Sequence, residues 1–386
     1  MNPDVIISGA GPAGLACAIF CARSGLSVLV LEKADRPGPE PRGETARPHE
    51  IFEDLLGKDF MSSISLHRTS ARRFNSPGAE KSFEIQRKHS SYIFDWHVFI
   101  ARLFEEALKA GVKFSMGTSV AGAIIENGIC RGVVTANGEE LMAHTILDCM
   151  GHTSVLGKKA GIDYRRLNNP MIKSLISNFK GEYRGMEFFF IPAGSLHYAP
   201  SFPPCLTFIF PRNDDKCEIG LMIMSGPAAK LGLRLPDSAE QLRVWHELKS
   251  GYPRFSGQIK GSRVDYEGLT CLTMAGLQPE GVIIPGLIHL GDAIGFVEAS
   301  GGCGLASSLQ NARFAADFAA CNRAHAWNAE RQDAYNRSFR ASLIYRHIRK
   351  VYRLVLPALN FIFARLKTPG RVNRHWWLVK LFYKLG

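Results

Sequence analysis

The chain has 386 residues, 46% of them hydrophobic and 21% charged, which is enough ordinary globular sequence to bury a large core in one to three domains. Its nine cysteines, at 17, 21, 130, 149, 205, 217, 271, 303 and 321, form no C-x-x-C pair and no cluster with histidine, which argues against a structural metal site or a disulfide framework and for free thiols. The net charge of +12 is confined to one end: Arg337 to Gly386 holds 12 Lys or Arg and no acid, so only that segment implies an anionic partner.

Val5-Ile6-Ile7 reads as a short buried strand, and Gly9, Gly11 and Gly14 follow it at G-x-G-x-x-G spacing. Leu15 to Arg23 is an apolar helix stopped by Gly25, and Val28 to Leu31 is a second buried strand ending at Glu32. Each glycine has a mechanical task. Gly9 permits the tight turn, Gly11 lets a pyrophosphate approach the backbone, and Gly14 lets helix and strand pack closely. Pro12 and Ala13 open the helix whose N-terminus faces that phosphate, and Glu32 with Lys33 stands where an acid takes a ribose 2′-hydroxyl. That pattern favours FAD or NAD over NADP. A strand beginning at residue 5 leaves no room for a signal peptide, so a cytoplasmic protein is expected.

Ala34 to Glu44 is rich in Pro and Gly and reads as an ordered loop. Thr45 to Leu56 is expected to be helical, residues 60 to 94 to be short alternating pieces, and Val98 to Ala110 a helix closed by Gly111. Two Asn-Gly pairs, 127-128 and 137-138, divide a meander running from Ala121 to Leu147, and Asp148-Cys149-Met150-Gly151 ends its last strand. From Tyr164 to Val282 the chain is rich in β-branched and aromatic residues, with a helical insert at Ser238 to Leu248. Pro285 to Leu290 is a strand, and Gly304 to Ala320 a long helix. Between them lies a second constellation, Gly291-Asp292-Ala293-Ile294-Gly295, followed by Ser300-Gly301-Gly302-Cys303-Gly304. There an acid can bond a polyol hydroxyl, and a helix N-terminus can face a ring that becomes anionic on reduction.

On these residues the chain resembles FAD-dependent proteins of the p-hydroxybenzoate hydroxylase superfamily, within the branch of geranylgeranyl reductases and flavin-dependent halogenases. The similarity covers most of residues 3 to 325. It rests on Gly9, Gly11 and Gly14 with Glu32, on Arg42-Gly43-Glu44, on Asp148 to Gly151 with Ser154, and on the stretch from Gly291 to Gly304. The hydroxylases carry a histidine after G-D-A-x and then a Pro-Pro; Gly295 and Glu298-Ala299 stand there in this chain. The resemblance implies that Arg42, Gly43, Gly151, Gly291, Asp292, Gly301, Gly302 and Gly304 help hold FAD. It also implies that Phe208, Phe210 and Pro211, with Gly220, shape a substrate cavity, although a plain half-buried strand accounts for 206 to 210 equally well. In tryptophan halogenases the position of Gly301 holds a glutamate, so halogenation of that type is disfavoured.

The redox chemistry belongs to the cofactor. With no second G-x-G-x-x-G, electrons would come from transiently bound NAD(P)H or from a reduced electron-carrier protein. Glu298 is a candidate general acid, if burial raises its pKa, or a solvated loop acid. Cys303 is a candidate proton donor or ring shield, or only a small residue in a tight turn. His97 and His289 read as structural.

Taken as a helix, Arg340 to Leu356 carries Ile344, Ile348, Val351 and Val355 on one stripe and Arg346, Arg349, Lys350 and Arg353 opposite, with Pro357 interrupting it. Cations opposite apolar residues, with Trp376, Trp377 and Tyr383 near the end, suit an interfacial helix on an anionic membrane or a helix packed on the protein. The expected fold is mixed α/β. A discontinuous Rossmann-type FAD-binding domain (1–60, 95–163, 283–325) with a parallel sheet interleaves with an antiparallel substrate domain (61–94, 164–282), and basic amphipathic C-terminal helices follow (326–386). The expected function is a geranylgeranyl-reductase-like enzyme passing electrons through FAD to a hydrophobic prenyl, polyene or other lipid-like substrate near a membrane. It would be cytoplasmic, peripheral on the inner face of a membrane, and without nucleic acid as a partner. A flavin-dependent monooxygenase or halogenase on an aromatic or carrier-bound substrate and a non-catalytic flavin-binding protein are the alternatives.

Overall fold

The computed structural model describes residues 2–38, 43–213, 215–299, 302, 304–365 and 368–385. Strand β1 (Val5–Ser8), helix α1 (Pro12–Arg23) and strand β2 (Val28–Glu32) form the opening βαβ unit, with Val5 opposite Val28 and Ser8 opposite Leu31 in parallel register. Gly14 to Cys21 are all buried, so α1 is enclosed on every side, which its nearly uniform apolar sequence requires. Strand β3 (Gly43–Ala46), helix α2 (Glu50–Leu56), the single turn α3 (Phe60–Ser63) and the long strands β4 (Ser65–Asn75) and β5 (Ser82–Asp95) follow. Helix α4 (Trp96–Lys109), capped by Asp95, leads to β6 (Lys113–Met116), and β7 (Val120–Glu126), β8 (Ile129–Thr135) and β9 (Glu140–Met142) make a small antiparallel sheet. Strand β10 (Thr145–Asp148) returns beside β1.

After the short helices α5 (Val155–Lys159) and α6 (Tyr164–Leu167) come β11 (Asn169–Ser177), β12 (Met186–Ile191), β13 (Cys205–Pro211) and β14 (Cys217–Ile223). Helices α7 (Ser225–Lys230), α8 (Ser238–Gly251) and α9 (Phe255–Ile259) precede β15 (Arg263–Leu272), β16 (Val282–Ile284) and β17 (Leu287–His289). Helix α10 (Leu305–Cys321) packs on α1, and α11 (Ala329–Ala341), α12 (Leu343–Arg365), α13 (Pro369–Arg374) and α14 (Trp376–Leu385) close the chain.

Two large sheets result. One has the order β16-β17-β10-β1-β2-β6 and is parallel except for β16; the other has the order β15-β11-β14-β13-β12-β4-β5-β3 and is antiparallel except where β12 runs along β4. The second sheet has two faces of different use. One packs Ile209, Ile219 and Leu221 against Trp245, Leu248 and Phe255 of α8 and α9. The other turns Phe188, Phe190, Phe208 and Met222 toward the first sheet and the C-terminal helices.

Several sequence expectations change. Thr45 and Ala46 pair with Ile93 and Tyr92 in a strand, so the helix expected from Thr45 starts only at Glu50. Pro48 has no N–H to give, and His49 caps the helix through Nδ1 accepting from the Ile51 N–H at 3.1 Å. Residues 60 to 94 hold two long strands rather than short pieces, because β4 and β5 pair with each other antiparallel from Ser65 opposite Phe94 to Asn75 opposite Ser82. The run expected as one strand from Glu139 to Leu147 splits between β9 and β10, which belong to different sheets. Pro357 does not interrupt its helix: α12 runs through it to Arg365. The apolar stripe there is spent on the protein body, with Ile348, Val355, Leu359 and Phe363 buried in the main core. None of the helices among the described residues is long and apolar enough to cross a membrane.

Candidate active site

The β1–α1 turn explains its own glycines. A Cβ on Gly14 would lie 1.9 Å from the Gly9 carbonyl oxygen, and one on Gly9, at φ +102°, 2.6 Å from the Cys149 carbonyl oxygen. Gly11 is different: nothing lies within 4 Å of its added Cβ, and it faces a cavity. Two glycines therefore close the backbone and the third keeps a space open. Pro12 sits in the first helical turn, where its missing N–H costs nothing, and Gly11 caps α1 without a side chain. Glu32, at the end of β2, is held in place by the Ala10 N–H donating to Oε2 at 2.7 Å and the Ala34 N–H donating to Oε1 at 3.0 Å.

Asp148 ends β10, the strand on the other side of β1. Its Oδ2 accepts from Ser154 Oγ at 2.6 Å and from His289 Nδ1 at 2.7 Å, and its Oδ1 accepts from the Met150 N–H at 3.1 Å. All three side chains are fully buried, and the bonds join β10 to β17 directly below the turn that carries Gly151 and the turn that carries Asp292. Those two turns touch: a Cβ on Gly151 would lie 4.0 Å from Asp292 Cβ, and one on Gly304 3.5 Å from Asp292 Oδ1. Gly291 is fastened from behind, its N–H donating to Asn311 Oδ1 at 3.0 Å.

One cavity of about 830 Å³ runs past these groups. Gly9, Gly11, Pro12, Ala13, Glu32 and Lys33 line it at one end, joined by Gly151, Asp292, Gly302 and Gly304 from more than a hundred residues away. Gly14 and Gly291 stand behind this lining, and Gly43 pairs with Asp95 at the sheet edge. Arg42, Gly301 and Cys303 lie outside the described residues. The fit to a dinucleotide is specific: an open backbone approach at Gly11, an uncapped helix start, and an acid oriented by two backbone amides at the next strand end.

The cavity continues over the antiparallel sheet, whose floor is set by register. Phe190 stands opposite Leu206, Leu206 opposite Met222, and Met222 opposite Met171, so four strands present one apolar row. A second row runs from Phe74 through Phe188 and Phe208 to Gly220. Gly220 is required there, since a Cβ would meet the Phe208 ring at 2.3 Å. Phe208 and Phe210 line the cavity; Pro211, one residue out of phase on β13, turns to the other face. Leu359 and Phe363 of α12 and Tyr383 of α14 close the cavity over β12 and β4, where Phe363 lies on Phe190 and Tyr383 on Phe74. No local sequence signal linked these residues to the cavity, because their partners are strands far away in the chain.

Glu298 does not line this cavity. Its two oxygens hold Arg47 Nη1 at 3.0 and 3.1 Å beside a smaller cavity of about 360 Å³, a position suited to fixing Arg47 rather than to giving up a proton to substrate. Arg47 itself reaches the main cavity, as do Arg72 and Arg87. Burial and the charge of Arg47 lower the Arg87 pKa, while Glu298 opposes them. Burial pushes the Tyr383 hydroxyl up, with Arg87 pulling the other way. Cys149, also on the wall, is held far above the ordinary thiol value by burial and by Asp148, so it stays a neutral thiol.

Residues 4–170 match the family of FAD dependent oxidoreductases. The digeranylgeranylglycerophospholipid reductase of Methanocella arvoryzae is 26% identical over 356 residues, spanning 88% of this chain and 83% of that protein. Among solved structures, a geranylgeranyl bacteriochlorophyll reductase-like protein from Thermoplasma acidophilum superposes with a TM-score of 0.74 at 18% identity, covering 98% of this chain and 99% of the other. A probable FAD-dependent monooxygenase from Pseudomonas aeruginosa, PqsL, gives 0.67 at 15% identity over 96% and 98%. At such identities these two structures speak to the fold.

Proposed function

We propose that this chain is an FAD-dependent oxidoreductase that reduces a hydrophobic substrate, a prenyl, polyene or other lipid-like chain taken from a membrane surface. The observation that carries this reading is the single cavity that starts at Gly11 and Glu32 and ends among Phe190, Phe208 and Met222. A cofactor gripped at one end of that space leaves a long apolar volume at the other, and apolar lining excludes water from whatever reacts there. FAD, when bound, supplies the hydride or electron transfer. The chain's own tasks are to fix the diphosphate at the α1 N-terminus, the ribose at Glu32 and the far end near Asp292, and to hold the substrate over the Phe and Met rows. The donor in this reading is transiently bound NAD(P)H or a reduced electron-carrier protein.

Membrane contact would use the outer side of α12 and α14. Leu343, Leu354, Phe361, Trp377 and Leu381 are exposed large apolar residues on α12 and α14, set among Arg346, Arg349, Lys350, Arg353 and Lys380. That is the chemistry of an interfacial helix, with each base near an anionic leaflet contributing on the order of 1 kcal/mol.

The test is anaerobic turnover. FAD-loaded enzyme reduced with dithionite under argon is incubated with a polyprenyl lipid, and the product is read by mass. Addition of two hydrogens per double bond supports the reading. A strict need for oxygen overturns it in favour of a monooxygenase or halogenase.

A further inference from the structure

The two apolar rows of the cavity floor end against side chains that the sheets do not supply. Phe363 of α12 stacks on Phe190 with ring centroids 5.4 Å apart and planes at 12°. Tyr383 of α14 stacks on Phe74 at 4.2 Å and meets Phe190 edge-on at 6.3 Å. These contacts fall where the two apolar rows end, at β12 and β4. At the opposite end of the first row, β15 lies against the cofactor side: a Cβ on Gly302 would lie 3.0 Å from the Leu272 side chain. The first row crosses from Thr270 on β15 to Phe190 on β12 in four strand steps, roughly 19 Å at the usual strand spacing.

We propose that Phe363 and Tyr383 are the stop that sets how long an apolar chain the cavity accepts, so that the C-terminal helices determine substrate length. This rests on the hydrophobic-substrate reading given above. Three features make the wall a stop rather than a soft cover. Trp376 backs it, packing edge-on against Phe190 at 5.4 Å and tilted against Phe83 at 5.6 Å. Helix α12 is pinned upstream by the Tyr352 hydroxyl, which donates toward the Gly295 carbonyl at 3.0 Å and the Thr273 carbonyl at 3.2 Å. Helix α13 is tied to the β4–β5 turn, with Asn373 Nδ2 donating to Glu80 Oε2 at 2.6 Å and Lys81 Nζ donating to the Asn373 carbonyl at 3.0 Å. The floor differs from this end. Met171, Met222 and Met224 have unbranched side chains that adapt to the shape of a chain lying on them. A rigid aromatic end to an adaptable floor measures length and tolerates detail.

The experiment uses the full FAD-loaded chain and a homologous series of straight-chain primary alcohols, with Kd read by calorimetry. For the wild type, affinity should rise about fourfold per added methylene until the chain meets the rings, and then level off. Phe363→Ala and Tyr383→Ala should move that break to longer alcohols, and Phe363→Trp should move it to shorter ones. Opposite shifts from substitutions at one position separate a length stop from general damage, and melting curves confirm folding. A break that stays in place in all three folded variants overturns the stop and leaves the hydrophobic-substrate reading standing. A wild type that carries FAD but binds no member of the series overturns that reading, and the stop with it.

Discussion

Single glycines separate what the fold needs from what the cofactor needs. Gly14→Ala forces a methyl within 1.9 Å of a carbonyl oxygen and should destabilise the protein by about 1–3 kcal/mol or more, seen as a fall in Tm. Gly11→Ala meets nothing in the protein, so Tm without cofactor should hardly move, yet FAD content should drop because the methyl enters the diphosphate space. Equal losses of Tm in both variants would contradict this division. Gly220→Ala collides with the ring of Phe208 and should cost about 1–3 kcal/mol while disturbing the apolar floor. The glycine trio and Glu32 were legible in the sequence because their spacing is local. The Asp148–His289 bond was not: the two residues are 141 apart, and only the parallel pairing of β10 with β17 makes them neighbours. The Glu298–Arg47 pair was no more legible, since the two residues lie 251 apart in the chain.

At the scale of elements, the antiparallel sheet keeps α8 by charge as well as by packing. Glu267 of β15 accepts from Lys249 Nζ at 2.6 Å, Trp245 Nε1 at 2.8 Å and His246 Nε2 at 3.0 Å, all from α8. Burial raises its pKa, but the bonds from Lys249, His246 and Ser174 outweigh it and bring the value from 4.5 down to about 2. A carboxylate depressed in the folded state gives stability that is complete above its unfolded pKa and is lost as pH falls toward the folded one. Glu267→Gln should therefore lower Tm at neutral pH, and the gap to wild type should close between about pH 4.5 and pH 2 in thermal melts. A gap independent of pH would contradict the ionic origin. Element type was legible wherever periodicity ran long, as in α1, α4 and α10. It failed at β3, where Pro48 and a distant partner strand outweighed helix-like spacing, and at Pro357, where packing on both sides carries α12 through the proline.

For the whole molecule, the C-terminal helices join two surfaces, a cavity wall inside and a basic, partly apolar face outside. The segment's charge was legible in composition, but its use was not. The stripe that looks lipid-facing in the sequence packs on the protein, and other residues are left outside. Full-length protein should co-sediment with vesicles containing anionic lipid and not with neutral ones, and should release as salt rises from 0.1 M, where charges act over about 10 Å, toward 1 M, where they act over about 3 Å. Trp377→Ser with Leu381→Ser should weaken binding without loss of FAD; unchanged sedimentation would argue against this face.

The central claim is that one cavity brings a flavin and an apolar chain together in this protein. It is tested most directly by following the flavin absorbance of the reduced, FAD-loaded enzyme under argon as a polyprenyl lipid is added. The account predicts that the oxidised flavin band returns with no oxygen present. A band that stays bleached with every prenyl or polyene chain, and returns only when air is admitted, would contradict it.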